Sequence, residues 1–102
     1  MKIVKVIYTA KADYVAQNQQ NIHKVMSDLQ ALAHDGIFYH VCLGSDGKTF
    51  THTAFFKEDA NQQVLSDLPS FQAFQHQLKA SGPEAPPAQD HMTLVGTSRN
   101  IF

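Results

Sequence analysis

The chain has no tryptophan, one cysteine, and 17% charged residues whose signs nearly cancel, for a formal net charge of −1. Each shortage removes a class of function. A lone thiol, Cys42, forms no internal disulfide, and a reducing cytoplasm is the simplest compartment for it. The small net charge, with no basic run, leaves no electrostatic footprint for nucleic acid. No apolar stretch reaches the roughly 18 residues of a membrane span. The opening MKIVKVIYTAKADY lacks the apolar core and small-residue cleavage site of a signal peptide, so none is expected. CxxC, HExxH and GxGxxG are all missing, so neither a metal site nor a cofactor is expected.

What is present is a globular composition, 43% hydrophobic over 102 residues. That is the size of a single domain spanning residues 1–102. Residues Ile3 to Thr9, IVKVIYT, are rich in β-branched side chains and read as a first strand. Asp13 stands where an N-cap would. Ile22, Val25, Met26, Leu29, Leu32 and Ala33 then recur at helical spacing, with Gly36 as the stop. This predicts a helix from about Tyr14 to His34.

The next segment, GIFYHVCLGSDGKTFTHTAFF, reads as a hairpin turning on Asp46-Gly47. Pairing Ser45 with Lys48 sets the register: Leu43 faces Phe50, Val41 faces His52, Tyr39 faces Ala54, and Ile37 faces Phe56. Those residues share one face. Phe38, His40, Cys42, Thr51, Thr53 and Phe55 share the other. Asp59 can cap a short helix near Ala60–Asp67. Pro69 interrupts the apolar stripe and suits the first turn of another helix, Pro69 to Ala80. Ser81 to His91, with three of the four prolines, reads as a loop that could cover the gap beneath the broken helix. Met92–Thr97, MTLVGT, reads as the last strand.

The order β-α-β-β-α-β is the ferredoxin-like α+β pattern: a four-stranded antiparallel sheet covered by helices on one face. Its bare face, carrying Phe38, Cys42 and Phe55, is apolar enough to predict an interface, and a homodimer through that face is expected, with His40 inside it.

Several side chains on the covered face carry chemistry. Stepping back four residues from Ile22 puts Asn18 on the helix's apolar stripe, aimed at the sheet. There an amide either lines a cavity or is satisfied by its surroundings. Asn21 lies at the stripe's margin. His52 sits among Tyr39, Val41, Phe50 and Ala54; burial would keep its imidazole neutral, able to accept or donate a proton. Tyr39 and Tyr8 could bring hydroxyls to the same place, although the first strand's register is open and Tyr8 depends on it. Phe71 and Phe74 are core residues that would also wall a ligand cavity. His23, His34 and His76 fall off their stripes, and His91 precedes the last strand.

In element order, length and two-sided apolar sheet, the chain resembles the dimeric α+β barrel superfamily, which includes antibiotic-biosynthesis-type monooxygenases, haem-degrading monooxygenases and muconolactone isomerases. YVAQNQQNIHKVMSDLQAL, DGKTFTHTAFF and LPSFQAFQHQLKASGPEAPP resemble a bacterial subgroup whose activity is not established. The resemblance implies one pocket per subunit for a small or flat organic molecule, between the helices and the sheet, and frequent oxygenation without a cofactor. The haem-degrading branch uses an Asn, a Trp and a His; without a tryptophan that set does not carry over. Two functions are therefore expected. One is a cofactor-independent enzyme acting on a small aromatic or quinone-like molecule through His52, Asn18 and Tyr39. The other is a non-catalytic dimeric module that binds a small ligand or serves a structural role.

Overall fold

The computed structural model describes residues 1–102. Four strands, β1 (Lys2–Thr9), β2 (Ile37–Leu43), β3 (Thr49–Phe56) and β4 (Ala85–Met92), form one sheet in the order β2-β3-β1-β4. Every neighbouring pair is antiparallel. A 3-10 turn (Ala12–Tyr14) leads into helix α1 (Val15–Leu32), and two further helices, α2 (Asn61–Ser66) and α3 (Pro69–Ser81), follow β3. This is the ferredoxin-like arrangement. Its core lies between the helices and one face of the sheet, built on Val4, Tyr8, Phe50, Ala54 and Phe56 from the strands, Ile22 and Val25 from α1, and Leu65, Phe74 and Leu78 from α2 and α3.

The hairpin register is the one the sequence predicts: Ile37 pairs with Phe56, Tyr39 with Ala54, Val41 with His52 and Leu43 with Phe50. The turn itself differs from the expected two-residue form. Gly47 N–H donates to the Gly44 carbonyl (3.0 Å), and of the expected pair only Gly47 has positive φ (73°). Asp46 instead accepts hydrogen bonds from the backbone N–H groups of Lys48 and Thr49 and from the Thr49 hydroxyl. Those bonds hold its carboxyl well below its usual range, at about 2. Four residues close the loop rather than two, and the parity of the pairing is unchanged.

Three helix boundaries also differ. Asp13 lies inside the 3-10 turn, and Tyr14 occupies the α1 N-cap with no side-chain capping bond. The α1 stop is Ala33, not Gly36. Ala33 takes the left-handed conformation (φ 51°), and its N–H reaches the carbonyls of Leu29 and Gln30. Asp59 is not a cap; Ala60 is, while the Asn61 side chain accepts from the Glu58 N–H.

The largest correction concerns the C-terminal strand. It is APPAQDHM, in the stretch expected to be a loop, and of the expected MTLVGT only Met92 belongs to it. Two prolines are tolerated because β4 is an edge strand, and because its pairing with β1 shifts between Ile7 and Thr9, so that Pro86 and Pro87 fall in the irregularity and owe no ladder hydrogen bond. The apolar residues after it stay outside the core; Val95 is wholly exposed.

Candidate functional site: a buried Asn-Tyr-His-Tyr chain beside an apolar cavity

The site is assembled by strand pairing. Val6 of β1 lies opposite His52, so Tyr8, two residues along, projects to the same side of the sheet. Tyr39 on β2 reaches that side from the other flank, diagonal to His52. One helical residue, Asn18, descends on Tyr8 from α1. The four side chains form a continuous chain. Asn18 Nδ2 donates to Tyr8 Oη (2.8 Å). Tyr8 Oη meets His52 Nε2 at 2.7 Å, and Tyr39 Oη meets His52 Nδ1 at 2.5 Å. Both ring nitrogens of the histidine are thus occupied by tyrosine hydroxyls. Asn18 is fully buried and its carbonyl oxygen has no hydrogen-bond partner.

Burial sets the protonation states. Desolvation lowers His52 to about 4, so the imidazole is neutral at pH 7. Desolvation raises Tyr8 beyond the ordinary tyrosine range, against a smaller opposing effect of the Asn18 hydrogen bond. Tyr39 rises for the same reason, with Tyr8 as a lesser contributor. The resting chain carries no net charge and keeps its protons.

Beside it lies a partly open cavity of about 570 Å³. Tyr8, Tyr39 and His52 give it a polar end; Val4, Val6, Ala54, Phe71, Phe74 and Leu78 give it apolar walls. The volume is in the range that holds a small organic ligand. Phe74 packs against the imidazole (ring centroids 5.3 Å apart) and Phe71 against the Tyr39 ring (6.3 Å). Residues of both helices flanking Pro69 line the cavity, Gln62, Leu65 and Ser66 from α2 and Phe71, Phe74 and Leu78 from α3. The Pro-rich segment is not a lid, however. It forms a wall, with Pro83 before β4 and Pro86, Pro87 and Gln89 within it lining the cavity.

Of the residues singled out in the sequence, the structure brings Asn18, Tyr8, His52 and Tyr39 into one network, with Phe71 and Phe74 around it. Asn18 lies behind Tyr8 and does not line the cavity. His40, Phe38 and Phe55 lie on the opposite face and touch one another: Phe38 stacks on Phe55 (5.6 Å) and His40 abuts both. Gln62, Ser66, Gln75, Lys79 and Gln89 also line the cavity and were not singled out by the sequence. Gln62 and Ser66 on α2 and Gln75 and Lys79 on α3 flank the apolar stripe, where a polar residue ordinarily faces water, and Gln89 lies on β4. Lys79 is the only charged side chain on the wall and belongs to neither of the two ion pairs in the structure. No three His, Cys, Asp or Glu side chains come together in a metal-ligating group, and no helix is long and apolar enough to cross a membrane.

No protein-family model and no curated protein sequence matches the chain. Solved structures do. A Bacteroides thetaiotaomicron protein provisionally named an antibiotic biosynthesis monooxygenase superposes with a TM-score of 0.83 at 7% identity, over 97% of this chain and 93% of the other. An antibiotic biosynthesis monooxygenase matches with a TM-score of 0.78 at 10% identity, over 94% and 100%. SnoaB of Streptomyces nogalater, a cofactor-independent oxygenase, matches with a TM-score of 0.69 at 12% identity, over 97% and 96%. At these identities what is shared is the architecture: the chain has the ferredoxin-like α+β fold of these antibiotic-biosynthesis-monooxygenase structures.

Proposed function

We propose that the protein is a cofactor-independent oxygenase acting on a small aromatic or quinone-like molecule held in the 570 Å³ cavity. The observation that carries this reading is the uncharged Asn18–Tyr8–His52–Tyr39 chain beside a mostly apolar pocket. Its neutral imidazole can receive a substrate proton through a tyrosine hydroxyl. The resulting carbanion transfers an electron to dioxygen, and the two radicals combine as a hydroperoxide. Loss of water then leaves a carbonyl, so that a CH₂ of the keto tautomer and O₂ give C=O and H₂O. SnoaB, of the same fold, is an oxygenase that needs no cofactor, which makes the chemistry compatible with the scaffold.

The histidine limits which substrate can react. An ordinary phenol, with a pKa near 10, would lose its proton to a base of about 4 at a cost of roughly 8 kcal/mol, at 1.36 kcal/mol per unit. A carbon acid or enol with a pKa near 7 would cost only about 4 kcal/mol. The substrate therefore belongs to the acidic end of its class. Two copies pair through the bare sheet face around Phe38, His40 and Phe55, which leaves both cavities free.

The test is oxygen uptake in chelator-treated buffer with bicyclic hydroxyarenes and aryl 1,3-diketones of graded acidity. Uptake should rise with acidity, and His52→Ala should lower it by about 10²–10⁴-fold while circular dichroism stays native. Binding across the series with no oxygen uptake would establish a binding module instead.

A further inference from the structure

The direction of the hydrogen-bond chain can be worked out from its buried end. The Asn18 amide turns its nitrogen to Tyr8 and leaves its oxygen unpartnered. The opposite orientation would strand an NH₂ group, two donors, in a position with no solvent exposure. An under-satisfied carbonyl is the lesser penalty. Since the amide donates, it occupies a lone pair of Tyr8 Oη, and the Tyr8 proton must go elsewhere. The acceptor in reach is His52 Nε2. A neutral imidazole that accepts at Nε2 carries its proton on Nδ1, and that N–H points at Tyr39 Oη. Tyr39 therefore accepts from the histidine. Its hydroxyl makes no other hydrogen bond, and its proton has no acceptor in the protein; of the two cavities that Tyr39 lines, only the 570 Å³ one also has His52 on its wall, and it is the remaining direction.

We propose that Asn18, which no ligand touches, fixes the polarity of the whole chain and so makes the Tyr39 hydroxyl an obligate hydrogen-bond donor into the cavity. The ligand that fits presents a carbonyl or oxyanion oxygen there, on a small aromatic body. Tyr39 is a specificity-determining contact and Asn18 a positioning residue acting through Tyr8 and His52. The inference concerns the site proposed above and takes from that reading only that a ligand enters the cavity. Within the oxygenase reading, the same polarity divides the labour between the two tyrosines. An oxygen bound by Tyr39 gathers negative charge as a neighbouring C–H proton leaves, and Tyr8 relays that proton to the one unprotonated ring nitrogen, Nε2.

Two measurements test it, neither requiring turnover. Long-range ¹H–¹⁵N correlation spectra at pH 7, with the His52 signals identified by their loss in His52→Gln, should show Nδ1 protonated and Nε2 bare. In Asn18→Leu the two tautomers should become comparably populated, a change that a merely space-filling Asn18 would not produce. A wild-type ring protonated on Nε2 overturns the assignment. The second probe is 1-tetralone, an aryl ketone. Its infrared carbonyl stretch should fall in frequency on binding, and Tyr39→Phe should abolish that change and weaken binding about tenfold, while naphthalene binds both proteins alike. Failure of 1-tetralone to bind, or equal binding by the two proteins, overturns the ligand class. An Nδ1-protonated ring that holds 1-tetralone in a protein consuming no oxygen would refute the oxygenase alone.

Discussion

Removing the Tyr8 hydroxyl should cost far more than removing the amide that it bonds. In Tyr8→Phe the ring stays in the core, where it stacks on Phe50 with centroids 5.5 Å apart. What is lost is the hinge of the polar chain. Asn18, already without a partner for its oxygen, loses the only partner of its nitrogen, and His52 Nε2 is left bare at the same time. Each buried group left unsatisfied costs about 1–3 kcal/mol, and since the two share one site the total should be roughly 2–4 kcal/mol rather than a full sum. Asn18→Leu works the other way. It removes a fully buried amide of which only one atom is bonded, and keeps Tyr8 tied to His52. Apolar replacement of a half-satisfied group costs little, so stability should change by less than about 1 kcal/mol. The two changes must then couple: with the amide gone, Tyr8→Phe strands only His52, and the double variant should recover about 1–2 kcal/mol of the Tyr8→Phe loss. Urea denaturation of the four proteins at pH 7 measures this cycle. Additive effects, or an Asn18→Leu loss larger than that of Tyr8→Phe, would show that the polar chain is not the network described.

Acid should destabilise the protein through His52. Its folded value of about 4 lies below the ordinary histidine value of 6.5, because burial disfavours the charged ring. The stabilisation is therefore complete above pH 6.5 and is lost as pH falls towards 4, to a total of about 3 kcal/mol; His52→Gln should flatten the urea midpoint over that window, and an unchanged profile would contradict a buried neutral imidazole. Phe38→Asp should convert a dimer in solution to a monomer by light scattering, and Cys42, exposed on the same face of a single chain, should react with a thiol reagent only in that variant; equal thiol reactivity in both would place the interface elsewhere. Ala33→Gly should raise stability by about 0.5–1 kcal/mol, because a left-handed alanine costs about 1–2 kcal/mol and glycine returns part of that as chain entropy; thermal melts should show a gain of a few degrees.

Periodicity carried much of this molecule. The alternation in IFYHVCL and TFTHTAFF, with a turn of even parity between them, put His52 and Tyr39 on one face and His40 and Phe38 on the other. It did so although the turn was of another type, because parity depends only on how many residues separate the strands. Helical spacing back from Ile22 marked Asn18 as buried for the same local reason. The sequence by itself thus determined the element order, the two faces and three of the four polar residues of the site.

Tertiary structure decided the rest. Tyr8 joined the site through the pairing of β1 with β3, a contact between residues more than forty apart that no local pattern encodes. APPAQDHM became a strand because an edge next to β1 demands hydrogen bonds on one side only, which two prolines at an irregularity do not interrupt; MTLVGT, the better strand by propensity, lies almost wholly beyond the end of β1. The cavity lies between the sheet and the two helices on either side of Pro69, and its polar wall residues were inconspicuous because in sequence they are ordinary surface side chains. Spacing along the chain fixes which way a side chain points; only the packed fold decides what it meets there.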